Sequence, residues 1–410
     1  MVPCPGPDAG ASVLHRQQRS VTRALAVFAM AAATCVVGPA AWGEGPPGAV
    51  TQVRLETVAS GLVIPWAVAF APDGRIFVTE RPGRIRVIDA KGLRAEPWAE
   101  VAVVPPEYRS EGGLLGIAVA PDFGTTGHVY AVATRESAGG LANRVLRFTD
   151  REGRGVDETV VVDGLPVVRA APGSEQAIHT HVGGALAFGP DGMLFLTTGD
   201  ATRPELAQDP ASLAGKLLRY RPDGSVPADN PLPGSPVFAL GLRNPQGLVF
   251  SPQTGHPIVT DHGPSELSWE GVGGWFGDEL DAILPGRNYG WPTVVGANTG
   301  TQFVEPLVEW SPSVAPAAVA VYSGSHLPWG ADVLVASLRG ERLWRFALER
   351  DGSKAAGWKA VQQEMLLEGR VGRIRVVAMG PDGHLYVATS NRDGRGKPQE
   401  ADDRLYRIVR

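Results

Sequence analysis

One short phrase recurs along this chain, and it limits the possible folds more than any other feature. An apolar pair is followed by Pro-Asp-Gly, or a close relative, and then by a strand of alternating apolar residues. It stands at Phe70-Ala71-Pro72-Asp73-Gly74, Val119-Ala120-Pro121-Asp122-Phe123, Phe188-Gly189-Pro190-Asp191-Gly192 and Phe250-Ser251-Pro252-Gln253. A worn copy lies at Leu327-Pro328-Trp329-Gly330, and a sixth at Met379-Gly380-Pro381-Asp382-Gly383. Proline presets the turn and Asp-Gly supplies its positive-φ corner, so each copy reads as a hairpin. A spacing of roughly 50 to 80 residues matches one blade per repeat. Second strands such as GRIRVID, NRVLRFT, GKLLRYR and RLWRFAL follow, and no long helical period interrupts them. The expectation is an all-β, six-bladed β-propeller with four-stranded antiparallel blades over residues 53–410. Residues near Val53–Leu55 or Leu405–Val409 close the ring. A parallel α/β enzyme would need helices between the strands, and none is evident.

Composition agrees with many short strands and turns: Gly 52 and Pro 35 among 410 residues, with no collagen-like period. The net charge of -5 argues against a nucleic-acid surface. Arg16, Arg19 and Arg23 precede an apolar run from Ala24 to Val37, and the small residues Pro39, Ala40 and Ala41 follow it. That is the order of a secretory signal, expected over residues 1–41, with a short linker over 42–52. The run is too short for a comfortable membrane span. A periplasmic or secreted protein is expected. Both cysteines, Cys4 and Cys35, lie in the signal, so the mature chain would have none.

A fold of this kind hosts many activities, so function must come from the sites. His181 precedes Val182-Gly183-Gly184 and a strand, and that strand ends in Gly199-Asp200 one hairpin later. A carboxylate there can hold an imidazole in one tautomer and raise its basicity. Arg243-Asn244 before Pro245 makes a rigid polar corner. Gly263-Pro264, after Asp261-His262, offers carbonyls suited to a hard cation. Asp278, Glu279 and Asp281 lie before the turn Gly286-Arg287-Asn288-Tyr289-Gly290-Trp291-Pro292 and read equally as a calcium site or a solvated acidic loop. Arg339 follows one strand, and Arg373 and Arg375, spaced by two, share a face of another. If that face is the channel, they form a cationic floor for an anion.

In this order, the clusters resemble the soluble dehydrogenases of glucose and other aldose sugars that depend on pyrroloquinoline quinone (PQQ). The markers are EGGLLGIAVAPDF, HVGGALAFGPDG with TTGD, GLRNPQGLVFSP, DHGP, GDELDAI with GRNYGWP, and Val314-Ala315-Pro316. The resemblance implies His181 as catalytic base, Asp200 as its orienting carboxylate, and Arg243 and Asn244 as contacts of the quinone. It implies carbonyls of Gly263 and Pro264 on a calcium ion that also binds PQQ, and Arg339, Arg373 and Arg375 around the PQQ carboxylates. Glu279 and the Tyr289 carbonyl match ligands of a second, structural calcium. Glu111 and Trp310 fall on the substrate side. An aldose would lose hydride to PQQ, leaving a lactone, and an external acceptor would take the electrons. The insertion Ser265–Phe276, and Thr180, Val376 and Ser311, depart from the pattern and bear on sugar choice. Two other readings remain: a calcium-dependent propeller lactonase, which would need carboxylate and Asn ligands around one metal and no arginine floor, and a non-catalytic binding propeller. Oligomeric state is open between monomer and homodimer.

Overall fold

Every complete Pro-Asp-Gly phrase turns the chain between the first two strands of a blade. The glycines take the positive φ that such a turn needs, Gly74 at 88°, Gly192 at 75° and Gly383 at 78°. The hairpins are closed by Ala71 N–H to Arg75 O at 2.9 Å, Gly189 N–H to Met193 O at 2.8 Å and Gly380 N–H to His384 O at 2.8 Å. The computed structural model describes residues 52–105, 110–136, 140–168, 180–264, 277–297 and 302–410. The expected signal, nearly all of the linker, and the Ser265–Phe276 insertion lie outside the described residues.

Six antiparallel blades follow one another. The first comprises Pro65–Phe70, Ile76–Glu80 and Arg84–Asp89, with an outer edge split into Gly92–Leu93 and Ala99–Glu100. The second runs through Leu114–Val119, His128–Arg135, Ala142–Arg151 and Arg154–Leu165, and the third through Leu186–Phe188, Leu194–Thr198, Lys216–Tyr220 and Val237–Leu240. The fourth is Pro245–Phe250, Pro257–Asp261, Asp278–Ala282 and Val308–Trp310. The fifth is Pro316–Val321, Val333–Ser337, Arg342–Arg350 and Trp358–Leu366. The sixth takes Ile374–Met379, Leu385–Thr389 and Leu405–Val409 from the end of the chain and Arg54–Ala59 from near its start. Both ends thus close the ring in one sheet, with Arg54 opposite Val409 and Leu55 opposite Ile408.

The first strand of each blade neighbours the first strands of the blades on either side, all the way round. The apolar faces form six clusters, each lying mainly between two adjacent blades. A fully buried Leu such as Leu218 contributes about 1.5–3 kcal/mol in this setting. Blades are also tied by hydroxyls near the ends of second strands. Thr79 donates to Leu115 O at 2.6 Å, Thr197 to Pro245 O at 2.8 Å and Thr260 to Ala317 O at 2.5 Å.

Inner strands begin where second strands end, so both meet at one rim. There the ladder slips in five of the six blades, at Pro65/Ala67, Leu114/Ile117, Pro245/Gly247, Pro316/Val319 and Ile374/Val376. A bulge re-aims the residue it contains. Trp66, Gln246 and Arg375 are such residues.

Candidate active site at the rim

His181 and Asp200 meet because glycine lets two backbone segments touch. A Cβ on Gly199 would collide with the His181 carbonyl, and one on Gly184 would lie 2.6 Å from Leu115 Cδ1. His181 itself adopts φ 51°, a left-handed conformation that costs a non-glycine residue about 1–3 kcal/mol. Its Nδ1 lies 2.7 Å from Asp200 Oδ1. A carboxylate only accepts, so Nδ1 carries the hydrogen and the lone pair is at Nε2. The imidazole is 20% exposed and Asp200 is fully buried. Asp200 also accepts from Thr202 N–H at 2.8 Å and from Trp291 Nε1 at 2.9 Å. Trp291 lies beneath the Arg243 guanidinium, 5.3 Å from carbon to ring centre. One chain of contacts therefore runs from Arg243 through Trp291 and Asp200 to His181.

Glu111 is the hub between blades. Its Oε2 accepts from His181 N–H at 3.0 Å, Asn244 Nδ2 at 2.9 Å and Gln246 Nε2 at 3.3 Å. Burial would raise its pKa, but His181, Arg395, His262 and the Asn244 bond together hold it below the ordinary value. Asp261 receives the Arg243 and Asn244 amides at 2.7 and 2.6 Å, which fixes the polar corner. Burial nevertheless pushes Asp261 up to about 7. Arg243 Nη1 donates to the carbonyls of His262 and Gly263 at 2.9 and 2.7 Å. Asp278 pins the next two segments, accepting from Gly263 N–H, Val314 N–H and Ala315 N–H within 2.9 Å.

The arginines divide. Arg375 donates to Gln246 Oε1 and stacks on Trp66 at 3.9 Å. Burial, with Arg81 and Arg373 opposing it, pushes Arg375 down to about 9 despite Glu111 and Asp393. Arg81 donates to the Ser110 and Gly112 carbonyls and is pushed down by burial to about 10. Arg373 precedes the bulge, and pairs with Asp393 at 2.7 Å. Around this point Arg81 feels Arg395, and Arg375 feels Arg81 and Arg373, while Glu111 and Asp393 act on both Arg81 and Arg375 with the opposite sign.

A sequence profile described as Glucose / Sorbosone dehydrogenase matches residues 62–407. The chain belongs to this family. It is 30% identical to the aldose sugar dehydrogenase YliI of Escherichia coli, over 84% of this chain and 92% of the relative. It is 27% identical to quinoprotein glucose dehydrogenase B of Acinetobacter calcoaceticus, over 92% and 95%. The PQQ-bound aldose sugar dehydrogenase of Streptomyces coelicolor superposes with a TM-score of 0.72 and 37% identity, covering 87% of this chain and 98% of that one. This is an oxidoreductase of the sugar dehydrogenase type.

Within this dehydrogenase, His181, Asp200, Arg243, Asn244 and Glu111 are joined by direct bonds, whereas two sequence expectations change. Trp310 was expected on the substrate side; it is 5% exposed and packs edge-on against Phe346 at 5.7 Å, inside the core between blades 4 and 5. Its strand alternates, and the face it occupies is the apolar one. Arg373 and Arg375 do not share a face, because the register shift between Ile374 and Val376 separates them. Arg339 is exposed just beyond its strand and follows Leu338, whose carbonyl accepts from Arg373 Nη1 at 3.2 Å. Sequence reading missed Trp66, Arg81, Gln246 and Trp291. Arg81 follows a strand-end Glu80 and carried a signal in that position; Trp66 and Gln246 depend on bulges that no residue pattern announces.

The residues fit an acidic quinone. Two buried guanidiniums held below their ordinary basicity gain from a ligand with several carboxylates, and Trp66 and Trp291 offer flat aromatic surfaces. The His262 and Gly263 carbonyls converge on a positive charge in Arg243, as donors to a hard cation would. Near Glu279, Asp281 has both carboxylate oxygens buried and without a hydrogen-bond partner. Tyr289 is buried, its phenol fixed between Ala282 O and Leu284 N–H at 2.8 Å each.

Proposed function

We propose that the protein is a PQQ- and calcium-dependent aldose sugar dehydrogenase that converts the anomeric carbon of an aldose to a lactone. The observation that carries this reading is the His181–Asp200 pair, whose open Nε2 lies at the rim that also bears the buried Arg81, Arg373 and Arg375. Arg81, Arg373, Arg375 and Asn244 would hold PQQ, and the Gly263 and Pro264 carbonyls a calcium ion beside it. When bound, PQQ supplies a carbonyl that accepts hydride and calcium supplies Lewis acidity.

His181 Nε2 takes the proton of the anomeric hydroxyl while hydride leaves the same carbon. Asp200 keeps Nδ1 protonated and stabilises the imidazolium that results. Trp291 and Thr202 hold Asp200 against rotation. Arg243 stands where negative charge develops on oxygen. Glu111 ties the His181 backbone to Asn244, so base and cofactor contacts move as one unit. Electrons then pass to an external acceptor. The signal-like N-terminal segment favours a periplasmic or secreted setting.

The test is dye reduction by metal-stripped protein given PQQ, calcium and a panel of aldoses. Sugar-dependent reduction that needs both additions supports the reading. Well-folded protein that binds PQQ but oxidises no aldose would remove the substrate assignment, and protein that binds no PQQ would remove the cofactor.

A further inference from the structure

The third strand of blade 4 gathers negative charge in a way that hydrogen bonds within the sheet do not resolve. Register places Asp261, Glu279 and Glu309 directly opposite one another on three adjacent strands. Residues opposite each other in an antiparallel ladder share a face, and like charges there repel. Asp281, two residues along from Glu279, lies on that face too. Three of the four carboxylates have partners. Asp261 accepts from the Arg243 and Asn244 amides, Glu279 Oε1 from Gly296 N–H at 2.7 Å, and Glu309 from Ala297 N–H at 2.8 Å and Ser311 Oγ at 3.2 Å. None of these partners is a basic side chain.

Asp281 differs. It is 0% exposed, and neither oxygen has a hydrogen-bond partner. It stands opposite Val259, next to the apolar cluster that holds Leu242, Val259 and Tyr289. An ionised carboxylate in such a place is costly unless a positive charge meets it. Protonation does not remove the difficulty, since a carboxylic acid is itself a donor that needs an acceptor. We infer that Asp281 is a direct ligand of a structural calcium ion and shares it with Glu279. This rests on the reading of Glu279 and Tyr289 as ligands of that ion. Among the described residues, no three His, Cys, Asp or Glu side chains converge as a cage. The site is therefore two carboxylates completed by backbone oxygen, the Tyr289 carbonyl included, and by water. All-oxygen ligation with a variable number of donors is calcium chemistry.

The test is calorimetric titration of chelator-stripped, PQQ-free full chain with calcium, alongside thermal melts with and without the ion. Asp281→Asn and Glu279→Gln are run in parallel. Wild type binds calcium and melts higher with it. Asp281→Asn weakens that binding by about tenfold or more and loses the calcium-induced rise. In chelator, the same variant melts no lower than wild type, because a buried unpaired carboxylate is gone. Wild-type calcium affinity in Asp281→Asn, with loss only in Glu279→Gln, keeps the ion at Glu279 but overturns Asp281 as its ligand. No calcium response in wild type overturns the underlying reading as well. Should Asp281→Asn not fold, Asp281→Glu carries the test: its longer arm keeps the charge and displaces the oxygens, so unchanged affinity again overturns the inference.

Discussion

The two ends of the blades differ in how far most of their polar contacts reach, although at the hairpin end Arg75 also donates to Asp150 of the next blade at 2.6 Å. At the hairpin end, side chains bond their own turn: Asp73 Oδ1 accepts from Arg75 N–H, Asp191 from Met193 N–H and Asp382 from His384 N–H, each two residues away. At the rim, bonds cross the ring. Asn244 reaches Glu111 over 133 residues and Arg375 reaches Gln246 over 129. Local bonds form as soon as the turn forms, and each can be lost singly. The rim bonds exist only when every blade is in place, and they share partners, so their losses do not add. The hairpin end shapes blades; the rim gathers the candidate site.

The largest break in that comparison is expected at the base. His181→Gln in PQQ-loaded protein should lower kcat by about 10²–10⁴ and leave PQQ affinity near wild type. Wild-type turnover would take the proton-transfer role away from His181. Next, Arg375→Gln should weaken PQQ binding by about 2–5 kcal/mol, read by titration, whereas exposed Arg339→Gln should have a much smaller effect. Equal losses would show that burial does not rank these arginines. Trp291→Phe keeps the ring beneath Arg243 and removes one donor to Asp200, a loss of about 1.5–3 kcal/mol. It should lower kcat more than PQQ affinity and move the pH profile of kcat/KM; an unmoved profile would reduce Trp291 to packing.

A pH effect comes from Lys216, whose ammonium donates to the Leu206, Ala207 and Ala214 carbonyls. Burial pushes it down to about 8 from an ordinary 10.5. Between those values the unfolded chain binds the proton more fully than the folded one, so stability should rise with pH from about 8 to 10.5. Thermal melts of Lys216→Met should lack that part of the rise; an unchanged slope would remove Lys216 as its source. The smallest effect belongs to the hairpin end. Asp191→Ala should cost about 0–1 kcal/mol in melting experiments and leave turnover unchanged. A large loss of activity would mean that the two ends are coupled.

The same contrast explains what the sequence made legible. Asp-Gly turns at Asp73, Asp191 and Asp382 are local and could be read directly, so the blade number followed. His181 and Asp200 are legible because two glycines follow the histidine before a strand and that strand ends in Gly199-Asp200; the close approach that needs those glycines is seen only in the fold. Arg373 and Arg375 were found as residues, but their shared face was inferred from a period of two that the bulge at Ile374/Val376 breaks. Gln246 and Trp66 gained their roles from similar slips. Trp310 shows the reverse error: the family resemblance puts it on the substrate side, beside Ser311, yet its strand turns it into the core against Phe346. Asp281 was legible as an acid but not as a partnerless one, since that depends on what packs above its strand.

The most direct test of the account is anaerobic mixing of glucose with PQQ-loaded, calcium-saturated protein in a stopped-flow spectrometer, following the quinone absorbance over a single turnover. The account predicts loss of the oxidised band at a rate that rises with sugar concentration, and its near-complete slowing in His181→Gln. An oxidised band that persists in wild type through stoichiometric PQQ binding, or that disappears equally fast in both proteins, would contradict it.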